Sequence, residues 1–218
     1  MKKIKLSIMF NIIIVIYTIF AGIIMFNGLK FMSDSLSLQD TNLSMFRFFT
    51  VDSNVFMGLV SLIFAVYEIC LLRGKIKEIP KFMSAIKLMA TAGVTLTFVV
   101  VFGYLGLMTG YGAMVQNSNL FFHLLTPILS IYTFVFLEEN DLRLRTSLLG
   151  AIPTFLYEIY YVSNIIVHME NYSVSPSYDW YYFAQGGTLQ MIIVAPGMII
   201  ISAILSAILL KGNRVFNK

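Results

Sequence analysis

Leu6-Ser-Ile-Met-Phe-Asn-Ile-Ile-Ile-Val-Ile-Tyr-Thr-Ile-Phe-Ala-Gly-Ile-Ile-Met-Phe-Asn27 is an unbroken apolar run without a single charged residue, and its reading decides the fold class. An α-helix rises 1.5 Å per residue, so about 20 such residues cross the hydrocarbon layer of a bilayer. In lipid the backbone must satisfy its own hydrogen bonds, which a helix does within one segment. Lys2, Lys3 and Lys5 precede the run and lend it the look of a signal peptide. The apolar stretch is longer than a signal-peptide core, and no clear Ala-x-Ala site follows, so it reads as a retained first span.

Runs of the same kind recur along the chain. They predict an all-α, polytopic integral membrane protein of six transmembrane helices, near 6–29, 47–72, 83–109, 118–137, 143–168 and 186–210, forming one domain over 1–218. Composition agrees: 58% of residues are hydrophobic, 12% are charged and the mean hydropathy is +0.83, where a soluble domain carries about 25% charge. The segments are continuously apolar rather than alternating with period two, which excludes a β-barrel. A single cysteine, Cys70, excludes an intrachain disulfide framework and any cysteine-based metal cluster. Basic residues flank the spans without forming an aromatic-interleaved patch, so no nucleic-acid partner is expected.

Charge then orients the chain. Thirteen of the 15 Lys and Arg residues fall at the N-terminus, between spans two and three, between spans four and five, or after span six; only Lys30 and Arg47 fall on the other side. The positive-inside rule therefore predicts a cell-membrane protein with both termini cytoplasmic. The outer segments carry Asp34 and Asp40, a short Gly-containing turn over 110–117, and Asp179-Trp180-Tyr181-Tyr182-Phe183. Those aromatics read first as an interfacial belt, and alternatively as the roof of a cavity. Asn42-Leu-Ser44 and Asn171-Tyr-Ser173 match glycosylation acceptors on that side. No internal repeat is evident, which weighs against a transporter of inverted repeats.

Polar residues inside the spans recur at helical spacing. Thr50, Asn54, Gly58, Ser61 and Ala65 share a face with Glu68 near its end; Asn119, His123, Thr126, Ser130 and Thr133 form a second stripe. Thr154, Tyr157, Tyr161, Asn164 and His168 form a third, with Glu158 adjacent. Such faces turn inward in lipid, where Ser, Thr and Gly stripes also serve as packing seams. An imidazole among them is more informative, because burying it is costly and it titrates near neutral pH where water reaches it. Thr50 and His123 lie at similar depth, roughly 5–8 Å below the outer boundary at 1.5 Å per residue. A hydroxyl and an imidazole at one level suit a nucleophile and its general base. Arg47 and Asn54 are candidates to orient a carbonyl or hold an oxyanion, and Asn119, Tyr157, Glu158, Tyr161 and Trp180 to line the cavity. Asp52 falls about 200° around the helix from Thr50, given 100° per residue, and is expected to face a different neighbour.

Phe46-Arg47-Phe-Phe-Thr50-Val-Asp-Ser53-Asn54, followed by Asn119-Leu-Phe-Phe-His123-Leu-Leu-Thr-Pro127, resembles the androgen-induced and androgen-dependent membrane hydrolase family and its bacterial six-span relatives. The aromatic stretch 179–183 is similar to the segment before that family's last span. The resemblance implies a membrane-embedded threonine hydrolase of fatty acid esters of hydroxy fatty acids, with Thr50 as nucleophile and His123 as base. It differs in placing Pro127 four residues after His123 rather than five.

The leading expectation is therefore a hydrolase or acyltransferase acting on a lipidic ester from the outer leaflet, with no cofactor and no metal. The alternatives are a lipid or small-molecule binding or transport protein using the same cavity without chemistry, and a haem or metal site shared by His123 and His168.

Overall fold

The computed structural model describes residues 1–30, 32, 40–171 and 173–217, so Asp34 lies outside the described residues. Helix α1 spans Lys2–Phe26 and, after a 3₁₀ turn at Asn42–Arg47, α2 spans Phe49–Leu72. Helix α3 (Lys81–Val100) continues through a π-helical turn (Val101–Leu105) into α4 (Gly106–Thr109), and α5 (Tyr111–Met114) is a single turn. A second π-helical segment (Leu120–Leu125) leads into α6 (Thr126–Tyr132) and a third π turn (Thr133–Leu137). A 3₁₀ helix (Leu144–Ala151) then runs into α7 (Ile152–Val167), and α8 spans Thr188–Phe216. No β-strand occurs among the described residues.

Five of these stretches are long and apolar enough to cross a membrane: Lys2–Phe26, Phe49–Leu72, Lys81–Met108, Leu120–Leu137 and Thr188–Phe216. The expected fifth span, 143–168, is not one of them, because it is not a single α-helix. Its first eight residues wind as a tight 3₁₀ helix, and only 16 follow as α7. Gly150 and Pro153 account for the break. A Cβ on Gly150 would collide with Ser206 of α8 and lie 3.2 Å from Ala92 of α3, so glycine lets this strut lie against both helices. Pro153, lacking an N–H, fits only the first turn of the α-helix that follows. The last span also runs beyond 210, held there by Asn213, whose Nδ2 donates to the carbonyls of Phe134 (2.5 Å) and Glu138 (2.6 Å).

Packing follows the polar stripes. A Cβ on Gly58 would sit 2.8 Å from Thr18, so α1 and α2 approach closely there, as small residues permit in membrane bundles. Ile12, Ile16, Ile19, Phe20 and Ile23 stay exposed along the other face of α1, a patch that suits lipid rather than water. At the opposite end of the chain Lys3 Nζ donates to Asn217 Oδ1 at 3.0 Å, so the two termini meet at one end of the bundle. Lys87, counted above among the basic residues flanking the spans, is instead fully buried in α3 and paired with Glu138 at 3.3 Å.

Candidate functional site

The end of the bundle away from the termini is built of aromatic rings. Asp179 organises it. Its Oδ1 accepts from Tyr161 Oη (2.6 Å) and Phe183 N (2.8 Å), and its Oδ2 from Ala184 N (2.9 Å). Tyr161 Oη in turn accepts from Tyr181 N at 2.8 Å. These bonds fold the segment back into the bundle, so Trp180, Tyr181 and Phe183 are buried rather than arrayed as an interfacial belt. Trp180 Nε1 donates to Tyr157 Oη at 3.0 Å, and that hydroxyl donates to the Arg47 carbonyl at 2.6 Å. The loop thereby closes over the start of α2.

Thr50 is the second residue of α2, just after the extended Phe48. The first N–H groups of a helix have no partner within it and carry the positive end of its dipole. His123 sits in the π-helical segment Leu120–Leu125. Pro127 follows four residues later and lacks the N–H that would bond the His123 carbonyl, and its ring crowds that carbonyl; a widened turn relieves both. The wide turn aims the imidazole at the bundle interior, where it is 4% exposed. His123 Nδ1 lies 2.7 Å from the Met114 carbonyl. A carbonyl only accepts, so Nδ1 carries the proton and Nε2 is left with its lone pair.

Thr50, Asn119, His123 and Tyr181 are the polar walls of one cavity of about 20 Å³, otherwise lined by apolar groups such as Phe48 and Phe122. That is space for a single water. A second cavity of about 30 Å³ adjoins it across Thr50 and Tyr181, and is lined by Thr97, Thr154, Tyr157 and Glu158 among apolar side chains. Glu158 Oε2 is buried without a partner. The two expected principals, Thr50 and His123, therefore share one buried space, with Asn119 beside them.

The expected oxyanion groups do not. Asn54 Nδ2 donates to the carbonyls of Thr50 (2.7 Å) and Phe122 (3.1 Å), so both of its protons are committed. It fastens α2 to the chain segment that carries His123 and has no donor left for a reacting carbonyl. Arg47 Nε pairs with Asp40 at 2.6 Å, and its guanidinium lies 5.2 Å from the Trp180 ring centroid, outside the cavity. Asp52 faces a separate groove of about 470 Å³ between α2, α3 and α7, whose inner wall is Phe49 and Tyr157. His168 ends α7, bonded to Asn164 O at 2.8 Å and stacked on Tyr178 at 3.7 Å, remote from the cavity walls.

The residue that sequence reasoning left out is Tyr181. Its hydroxyl comes up against Thr50 and Phe49 at the first turn of α2, without a hydrogen bond of good geometry. Burial pushes this phenol up to about 12, against the pull of the neighbouring Thr50 groups, so it carries its proton at neutral pH. Its neighbour Trp180 was the available signal, since both belong to one aromatic run; which ring would reach Thr50 depends on the Asp179 turn.

Compared with known proteins, the chain matches no family model, no curated protein and no solved structure.

Proposed function

We propose that this is a six-span membrane protein with both termini in the cytoplasm, and that it hydrolyses lipidic acyl esters through Thr50 and His123. The meeting of Lys3 with Asn217 supports an even number of crossings, and adding one to the five long apolar helices makes six. The sixth crossing is the strut Leu144–Ala151 with α7. Eight residues at 2.0 Å and 16 at 1.5 Å reach about 40 Å, enough for a layer of about 30 Å.

The observation that carries the chemical reading is the shared cavity: Thr50, at a helix N-terminus, and His123, whose Nδ1 is the protonated nitrogen, line the same small space. The Thr50 oxygen attacks the ester carbonyl and its proton passes to His123 Nε2. The negative charge then forming on the carbonyl oxygen meets the Tyr181 hydroxyl, the Asn119 amide proton not taken by the Ala113 carbonyl, and the positive end of the α2 dipole. Collapse of the tetrahedral species expels the alcohol, which takes the proton from His123. Water, deprotonated by His123 Nε2, then releases the fatty acid from Thr50 and restores the hydroxyl.

Neither small cavity accommodates an acyl chain, so the chain of the substrate belongs in the 470 Å³ groove at Asp52, with Phe49 and Tyr157 yielding to admit the ester group. The test is turnover of a fatty-acyl ester by the protein in lipid nanodiscs. Thr50→Ala and His123→Ala should each abolish it; full activity in either variant overturns the assignment.

A further inference from the structure

A second constellation lies at the other end of the bundle and is independent of Thr50. There α1, α2, α3 and the segment after the third π turn bring together Asn11, Glu68, Lys87 and Glu138, all buried. Lys87 Nζ donates to Asn11 Oδ1, to Ser61 Oγ (3.0 Å) and to Glu138 Oε1 (3.3 Å). An ammonium has three protons, so Lys87 is saturated. Asn11 Nδ2 donates to Glu68 Oε2 (3.1 Å) and Glu138 Oε1 (3.3 Å), which draws both carboxyl groups to one nitrogen. Two acids thus face one base, and the base has nothing further to give.

Glu138 Oε2 remains buried without a partner. Glu68, Glu138 and Ser84 line a vestibule of about 390 Å³ that opens at the end of the bundle carrying the termini. Its rim bears Glu78, Glu139 and Asp141 against Lys77 and Lys81, and Lys81 is held by Asp141 at 2.8 Å. Acids outnumber bases among the residues that line the vestibule, although this end of the bundle is basic as a whole, so the attraction for a cation is local to the Glu68 and Glu138 carboxylates. An unmatched carboxylate inside a membrane bundle is costly unless something balances it. Asn140 Nδ2, a donor, also lies buried and unpartnered on the same vestibule.

We propose that this vestibule binds a small primary amine of the ethanolamine type, its ammonium against Glu138 and Glu68 and its neighbouring oxygen against Asn140. A primary ammonium offers several donors to the orphan Glu138 oxygen, the Glu68 carboxylate and the Ser84 hydroxyl, and the vestibule is far larger than a bare ion needs. The amine comes either free from solution or as the headgroup of a membrane lipid, which presents the same chemistry at this depth.

The experiment is thermal unfolding of the full chain in phosphatidylcholine nanodiscs, titrated with ethanolamine, choline chloride or NaCl at matched ionic strength. Ethanolamine should raise the midpoint saturably, while choline, which has no N–H, and NaCl should not. Glu138→Gln should weaken the ethanolamine response at least tenfold in concentration. If that variant does not fold, Asn140→Ala, which spares the Lys87 pair, should reduce the ethanolamine response but not that to methylamine. Nanodiscs containing phosphatidylethanolamine distinguish the sources: a raised midpoint with no further response to free ethanolamine assigns the site to the lipid headgroup, and an unchanged response assigns it to the soluble amine. Equal shifts with choline or NaCl overturn the proposal. So does stabilisation by acid alone with no effect of ethanolamine at any pH, which would make the counter-charge a proton.

Discussion

Asp179→Asn isolates the device that holds the aromatic loop over Thr50. The wild-type carboxylate accepts three hydrogen bonds, from Tyr161 Oη, Phe183 N and Ala184 N, at 2.6, 2.8 and 2.9 Å. Asparagine matches its shape but has one acceptor oxygen. If that oxygen keeps Tyr161 and Phe183, the amide nitrogen meets the Ala184 N–H, donor against donor. Hydrogen bonds to a charged acceptor are worth about 1.5–3 kcal/mol, and a buried donor left unpaired costs about 1–3 kcal/mol. Loop opening should become easier by about 2–3 kcal/mol, a roughly 30- to 150-fold rise in the opening equilibrium at 1.4 kcal/mol per tenfold. Hydrogen exchange followed by mass spectrometry over 179–187 reads this directly: the Tyr181, Phe183 and Ala184 amides should lose protection by that factor, and the middle of α2 should keep its own. Unchanged protection of the loop would refute the role given to Asp179.

Tyr181→Phe keeps the ring and removes the donor, so ester turnover should fall about 10²-fold, in the range for losing one oxyanion donor, with the thermal midpoint at neutral pH nearly unchanged. The same variant has a pH signature. The folded-state phenol titrates at about 12, above the unfolded value of about 10, so its contribution is intact below pH 10 and is lost as pH climbs towards 12, by about 2 kcal/mol. Tyr181→Phe should flatten that part of the alkaline stability profile, and an identical profile would argue against a buried phenol. Asn54→Ala removes one tie within α2, to Thr50, and one across the bundle, to Phe122, and should lower stability by about 1–3 kcal/mol, measured by chemical unfolding in detergent. Gly150→Ala should destabilise by about 1–3 kcal/mol through its collision with Ser206, and Ser206→Ala should relieve part of it.

Much of this architecture is legible in the sequence because lipid imposes simple rules. Long apolar runs give five of the helices, and inward-turning polar stripes bring Thr50 and His123 to one cavity. What sequence missed depends on third partners. Asn54 sits on the stripe of Thr50 as expected, yet its amide is taken by two backbone carbonyls, which spacing along one helix does not reveal. Lys87 counts as a flanking charge until Glu138, 51 positions later, is seen beside it. The span expected over 143–168 takes in Arg145, Thr146 and Ser147 on the strength of the apolar residues that follow them, and the tight winding of this strut comes from how Gly150 meets α8. Tyr181 reaches Thr50 only because Asp179 gathers the loop's amides onto one side chain.

In the proposed reaction Thr50 is a nucleophile activated by His123. Labelling the protein in nanodiscs with a fluorophosphonate and mapping the adduct by peptide mass spectrometry tests it most directly. A single adduct on Thr50, absent in Thr50→Ala and in His123→Ala, is the expected result. Labelling that maps elsewhere, or persists undiminished in both variants, would contradict it.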